Sequence, residues 1–312
     1  MIRAKKQFRR SLPFVFEKEP DTAAVDSAAP LSRREYLAEK LLVHGAVLLR
    51  GFGIADLSDF ENFVRSFSGK ELFGYAGGVS PRNSLKGAIY TSTEYPPEVG
   101  LSLHNELSYA DVFPANLYFG CLIAPAVDGE TTLGDSRRIL QKLDAEVLGL
   151  FKRKQICYIR NLEADKFSDY SWQAAFETEN RAEVEKVCRK IGASFEWQPD
   201  GRLQVRQIRP ATVKHPVTGE EVWFNQADGF HPSNLGLENY ETFEESEFRL
   251  NCTFGDGTPI EPQILEHVRR VLRSETIPHR WLAGDILILD NLLTAHGRKP
   301  FSGPRKIVLA MT

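Results

Sequence analysis

Cysteine is scarce and scattered in this chain. Its four thiols, Cys121, Cys157, Cys188 and Cys252, form no Cys-x-x-Cys pair, which excludes a zinc ribbon and a thioredoxin-like motif and leaves reduced, structural side chains. Long apolar runs are absent as well. None approaches the roughly 18 to 20 residues of a membrane span, and residues 1–10 are basic without a following apolar stretch, so neither a membrane helix nor a secretory signal is predicted. Transit peptides share such a basic start, but the strand-like residues 12–16 and the acids Glu17 and Glu19 follow at once, and a cytoplasmic protein is expected. Neither sign of charge dominates: 39 Lys and Arg face 42 Asp and Glu, a formal net charge of -3. That balance argues against a whole-protein footprint for nucleic acid or for an anionic membrane. The nucleotide-binding glycine motifs and the Gly-x-Ser-x-Gly elbow are missing too, so a phosphate cradle and a serine hydrolase have no support.

What is present is an ordinary globular composition, 42% hydrophobic and 26% charged over 312 residues, enough for a sizeable core. No repeat or long linker divides it, and residues 1–312 read as a single domain in which 1–32 form an N-terminal strand and loop extension. Helical spacing predicts helices over 33–44, from about Asp56 through Phe67, over 136–152, 181–191 and 260–274. Strands are expected at 46–49, 101–105, 115–124, 155–160, 203–208, 221–225, 285–289 and 306–311. Irregular strand spacing and few glycine-rich turns disfavour a doubly wound parallel sheet. They favour an antiparallel sandwich or jelly roll, mainly β with surrounding helices.

The chemistry is concentrated in two segments. In SLHNELSY, His104 and Glu106 sit two apart, which on a strand aims an imidazole and a carboxylate to one side. At this composition a His-x-acid triplet is expected about once by chance, so context decides. That context is His296 in DILILDNLLTAHGRKPF, followed nine positions on by Arg305. Two histidines and one carboxylate form the facial set of non-haem Fe(II) oxygenases, which leaves the opposite face open. Arg305 offers a planar fork for the distal carboxylate of an α-keto acid, and Thr131 in DGETTL offers a hydroxyl; Thr132 is the adjacent alternative.

SLHNELSY, DGETT, VWFNQADGFH and AHGRKPFSGPRK, in this order, resemble the taurine dioxygenase superfamily of Fe(II)/2-oxoglutarate oxygenases, and within it the syringomycin-type and clavaminate-synthase-like amino-acid hydroxylases. The resemblance runs from about Arg50 to the C-terminus. It implies a distorted double-stranded β-helix, His104, Glu106 and His296 as iron ligands, Arg305 with Thr131 as the 2-oxoglutarate clamp, and Fe(II), 2-oxoglutarate and O2 as cofactor and co-substrates. It further implies oxidative decarboxylation of the keto acid to succinate and hydroxylation of an amino acid, free or tethered to a peptidyl carrier protein, in nonribosomal-peptide or antibiotic biosynthesis. The sequence departs from taurine dioxygenase in carrying Glu106 instead of Asp, and Leu309 where the sulfonate-binding arginine would stand, so taurine is a poor fit. Because the carboxylate is present, the halogenating variant of the chemistry is disfavoured.

Other residues have weaker claims. Arg82 and Gln226 are the substrate contacts expected from the matched region, with residues 80–81, 91–93, Asn225 and Arg298 as further possibilities. His231, close to Asp228, is the rival ligand; His44, His215, His267 and His279 read as helix-end, turn or surface histidines. The acidic run at 238–247 reads as a lid or as a solvated surface helix. Rival functions are a catabolic oxygenase of a small carboxylate, a desaturase or epoxidase of the same superfamily, and a non-catalytic jelly-roll binding protein. No motif speaks to oligomeric state.

Overall fold

Alternation along 46–50 decides the architecture. Val47 and Leu49 point to one side of the strand Ala46–Arg50, Ala46 and Leu48 to the other, and both sets are buried, so helices must cover one face and a second sheet the other. The computed structural model describes residues 11–18, 29–74, 82, 84–236 and 240–312. The expected residues 80–81, and most of the N-terminal extension, lie outside them. A seven-stranded sheet runs in the order Phe14–Glu17, Ala46–Arg50, Ile286–Asp290, Asn116–Ile123, Lys306–Met311, Ile89–Thr91, Ser84–Lys86. Its pairings are antiparallel except the first, where Phe14–Glu17 lies parallel to Ala46–Arg50.

The outer face of this sheet is covered by Arg34–His44 and Leu57–Ser68. Asp56 caps the second helix, its carboxylate accepting from the Ser58 and Asp59 amides at 2.7 and 2.9 Å and satisfying donors that the first turn cannot pair. Phe60, Phe63, Val64 and Phe67 then recur on the side that meets the sheet. Gly45 ends the preceding helix at φ 80, a left-handed turn that lets the chain enter Ala46–Arg50 directly.

The inner face meets a four-stranded sheet ordered Ile277–His279, Thr131–Asp135, Thr294–Arg298, Leu101–His104. Leu48, Leu117, Phe119, Leu287, Leu309 and Met311 pack there with Leu133 and Trp281. The far side of the smaller sheet carries Leu103 and Ala295 into a third layer. It is built from the helix Pro262–Glu275 and a sheet of Ser194–Trp197, Leu203–Arg209, Ile156–Leu162 and Leu250–Phe254.

Several expectations change. The single helix over 136–152 is two, Ser136–Lys142 and Ala145–Lys154, because Asp144 turns its carboxylate onto the Glu146 amide and starts a new helix. The strands Thr131–Asp135, Leu250–Phe254 and Thr294–Arg298 were not anticipated. His279 is a buried strand residue, not a surface one. Ala29–Ser32, read as loop, is one helical turn. The described part of the acidic run, from Tyr240, forms the 3-10 turns Tyr240–Thr242 and Glu245–Glu247, not a helix of the length expected. All four cysteines are buried and free.

Candidate active site

His104 and His296 are direct cross-strand partners on the adjoining strands Leu101–His104 and Thr294–Arg298. Partners in a ladder share a face, and these two place their rings 4.4 Å apart between centroids, with Phe119 of the large sheet against His296 at 5.3 Å. The ladder carries an irregularity here: Arg298 pairs with Leu101, three residues from His104, although it is two from His296. Gly297 sits in that irregularity, where a β-carbon would meet the Leu101 carbonyl at 2.4 Å and the Thr132 hydroxyl at 2.7 Å. Only a residue without a side chain fits between the strands at this point.

Glu106 reaches the site by another route than strand alternation. The strand ends at His104 and Glu106 lies in the turn beyond it. Asn291 holds that turn: its Oδ1 accepts from the Glu106 amide at 2.8 Å, and its Nδ2 donates to the Glu106 and Pro114 carbonyls at 3.0 and 2.9 Å. Asn105 Nδ2 in turn donates to the Asn291 carbonyl at 2.6 Å. Leu107, next in line, takes φ 54, a left-handed conformation unusual for a branched side chain. Asn291 was missed in the sequence, since a buried Asn after an apolar strand looks like any turn residue.

One ligand-type atom from each of His104, Glu106 and His296 lies within 4.8 Å of the others, and no other such group of three or more exists among the described residues. Glu106 Oε2 is 3.7 Å from His296 Nε2. The tautomer of His104 follows from its backbone contact: Nδ1 lies 2.9 Å from the Ser102 carbonyl, so Nδ1 carries the proton and Nε2 offers a lone pair. Burial lowers the pKa of His104, with Arg82 adding to the effect and Glu106 opposing it. Burial pushes His296 further down, helped by His104 and Arg82. Both imidazoles are therefore neutral donors near neutral pH, and two nitrogens with one carboxylate suit Fe(II) while leaving coordination positions open. Glu106 is gripped by Arg82, whose Nη2 donates to Oε2 at 2.6 Å with both side chains only 3% exposed.

Arg305 stands just before the strand Lys306–Met311. Its Nε donates to the Gly129 carbonyl at 3.2 Å and its Nη1 to Ser92 Oγ at 3.3 Å, and no carboxylate pairs with it among the described residues. Burial, then the neighbouring charge of Arg298, lowers its pKa to about 10. It remains a cation that its surroundings leave short of negative charge. Thr131 pairs with His279 and Arg298 across its two neighbours and accepts from Trp281 Nε1 at 3.0 Å. It shares the inward face with Leu133, whereas Thr132 approaches Gly297 on the opposite face. Of the two hydroxyls, Thr131 is the one directed between the sheets.

The remaining residues sort cleanly. Gln226 Nε2 donates to the Asn105 carbonyl at 2.8 Å and lines, with His104, a cavity of about 900 Å³. His231 lines the same cavity, with Nδ1 2.9 Å from Ser233 Oγ, and stands apart from the cluster of three. Asp228 is held by Arg269. Arg298 donates to the Tyr95, Pro96 and Val99 carbonyls, anchoring the loop at 95–99. Leu309 is fully buried in the inter-sheet core. No helix of the described residues is long and apolar enough to cross a membrane.

A strand-rich scaffold with a His/Glu/His cluster of neutral imidazoles and a carboxylate, and with an arginine that no carboxylate pairs among the described residues, is the arrangement of a non-haem iron oxygenase. Comparison with known proteins makes the assignment specific: residues 9–312 match the family described as taurine catabolism dioxygenase TauD, TfdA family, and the chain belongs to it. It is an Fe(II)- and 2-oxoglutarate-dependent oxygenase that uses O2. Relatives include the dapdiamide synthesis protein DdaC of Enterobacter agglomerans, 36% identical over 89% of this chain and 83% of that protein. A clavaminate synthase-like protein of Arabidopsis thaliana is 30% identical over 96% and 94%. Among solved structures, PvcB from Pseudomonas aeruginosa superimposes with a TM-score of 0.54 at 18% identity, covering 96% of this chain and 85% of that one. A second PvcB structure is described as an Fe, alpha-ketoglutarate dependent oxygenase from an isonitrile synthetic pathway.

Proposed function

We propose that this enzyme hydroxylates an unactivated carbon of an amino acid or amino-acid derivative in natural-product biosynthesis, with the substrate free or presented by a carrier protein. In this reading His104, Glu106 and His296 hold Fe(II), and Arg305 with Thr131 and Ser92 holds the distal carboxylate of 2-oxoglutarate. The two facing sheets are the halves of a distorted double-stranded β-helix. The observation that carries it is the cluster of two neutral imidazoles and one carboxylate, with Glu106 and His296 buried and His104 partly so, and with donor atoms within 4.8 Å. Bound Fe(II), with 2-oxoglutarate and O2, supplies an oxidant strong enough for a C–H bond as the keto acid becomes succinate and carbon dioxide. The chain's own contribution is placement. Arg305 orients the keto acid from its far end, Asn291 fixes Glu106, Arg82 restrains the carboxylate, and Gln226 braces the His104–Glu106 turn against the cavity that receives the substrate.

A biosynthetic role is supported by the likeness to a dapdiamide synthesis protein and to a clavaminate synthase-like protein. The test is 2-oxoglutarate turnover across free and carrier-bound amino acids, followed by product mass. Succinate formation with the gain of one oxygen atom is expected, and His104→Ala abolishes it. Loss of two hydrogens assigns desaturation instead. Succinate formation unchanged in His104→Ala would overturn the site assignment.

A further inference from the structure

Protein interiors pack as densely as organic crystals, with few voids larger than a water molecule. The cavity beside His104 is not an enclosed void of that kind but a cleft that opens to solvent past exposed residues such as Leu235 and Phe243. It measures about 900 Å³, and Trp223, Phe230, Val268 and Leu272, all members of the largest core cluster, face it. Pockets of about 300–1,000 Å³ enclose drug-sized ligands, so this one stands near the top of the range. Of the candidate iron ligands His104 lines it, with Asn105 and Gln226; Asp169, Asp228, Glu247 and Arg249 line it too, Asp228 paired with Arg269 and Arg249 with Glu163. Gly229, exposed at its edge, also lines it, and a β-carbon there would meet nothing within 4 Å.

We propose that the cavity receives a substrate larger than a free amino acid: an amino-acid derivative whose polar head lies at His104 and Gln226 and whose extended apolar body lies along Trp223, Phe230, Val268 and Leu272. This rests on the oxygenase reading above, because that reading puts the reacting carbon at the His104 end. Burying an apolar chain in such a chamber strengthens binding by about fourfold per methylene, the equivalent of about 0.8 kcal/mol.

The experiment titrates N-acetyl-, N-hexanoyl- and N-decanoyl-L-alanine into the metal-free protein by calorimetry, and again after loading with Co(II) and 2-oxoglutarate. Affinity is expected to climb steeply from acetyl to hexanoyl in both forms. Gly229→Phe, which fills the open space, should remove the gain for the decanoyl compound, whereas Gly229→Ala should keep it. Thermal unfolding establishes that each variant is folded, and Gly229→Leu replaces the Phe variant if that one is not. Affinities that stay flat along the wild-type series, or a decanoyl gain that survives in the folded bulky variant, overturn the proposal. Chain-length-dependent binding without Co(II) binding or succinate formation leaves the cavity assignment standing and sinks the oxygenase site, so the two failures are distinguishable.

Discussion

Arg82 and Glu106 form a buried ion pair in which one carboxylate oxygen, Oε2, is 2.6 Å from the guanidinium and 3.7 Å from His296 Nε2. The oxygen nearest the imidazole is thus the one the arginine holds. Removing one partner of a buried pair strands the other charge and costs about 3–5 kcal/mol. Arg82→Gln is therefore expected to destabilise the metal-free protein by an amount of that order. A bound divalent cation supplies the missing positive charge, so Mn(II) should raise the melting temperature of the variant more than that of the wild type. Calorimetric unfolding with and without Mn(II) measures both, and an equal or smaller rise in the variant would mean that Arg82 does not compensate Glu106.

Arg305 is expected to govern keto-acid affinity. It is a partly buried cation whose partners are the Gly129 carbonyl, the Ser92 hydroxyl and the face of the Phe301 ring, so an incoming carboxylate finds a donor fork with no rival anion to displace among the described residues. Losing a hydrogen bond to a charged group costs about 1.5–3 kcal/mol, or about 10- to 150-fold in binding. Arg305→Gln should raise the 2-oxoglutarate KM by that factor, and Ser92→Ala by clearly less. Trp281, bonded to Thr131, gives a second readout, because its fluorescence should respond to 2-oxoglutarate in the wild type and lose that response in Arg305→Gln.

Gly297→Ala tests whether the two histidines depend on the irregular ladder that joins their strands. The new methyl would strike the Leu101 and Ser102 carbonyls as well as the Thr132 hydroxyl, and because the carbonyls cannot swing aside the strands must separate, at a cost of about 1–3 kcal/mol. Because His104 and His296 are the adjoining pair, Co(II) affinity should fall more steeply than stability. A variant with wild-type Co(II) binding would show that the triad tolerates a shifted register.

How much of this was legible beforehand follows from what each residue type signals. His104, Glu106, His296, Arg305 and Thr131 were singled out because the expected chemistry needs those side chain types in that order along the chain, and most strands were read from apolar runs. The strands Thr131–Asp135 and Thr294–Arg298 escaped because they are mostly polar or small, so the single core side chains Leu133 and Ala295 leave no apolar alternation to read. Glu106 was expected to share a strand face with His104. It lies in a turn, placed by Asn291 from 185 residues away, and no local pattern announces a contact of that range. Ser92 was one polar residue among Thr91, Ser92 and Thr93 until the ladder brought it to Arg305.

His279 gives the protein a calculable sensitivity to acid. Its ring is buried edge-on against Trp281, its Nε2 finds no partner among the described residues, and burial lowers its pKa from 6.5 to about 4. Unfolding restores the ordinary value, so between pH 6.5 and 4 the unfolded chain binds more protons than the folded one. Stability from this residue is complete above pH 6.5, declines as pH falls through that window, and changes no further below it. Between pH 7.5 and pH 5 the loss amounts to about 2 kcal/mol. Urea unfolding of wild type and His279→Leu at both pH values isolates the contribution: the variant should lose less stability on acidification by about that amount. Identical losses in the two proteins would mean that His279 is already protonated, or solvated, in the folded state.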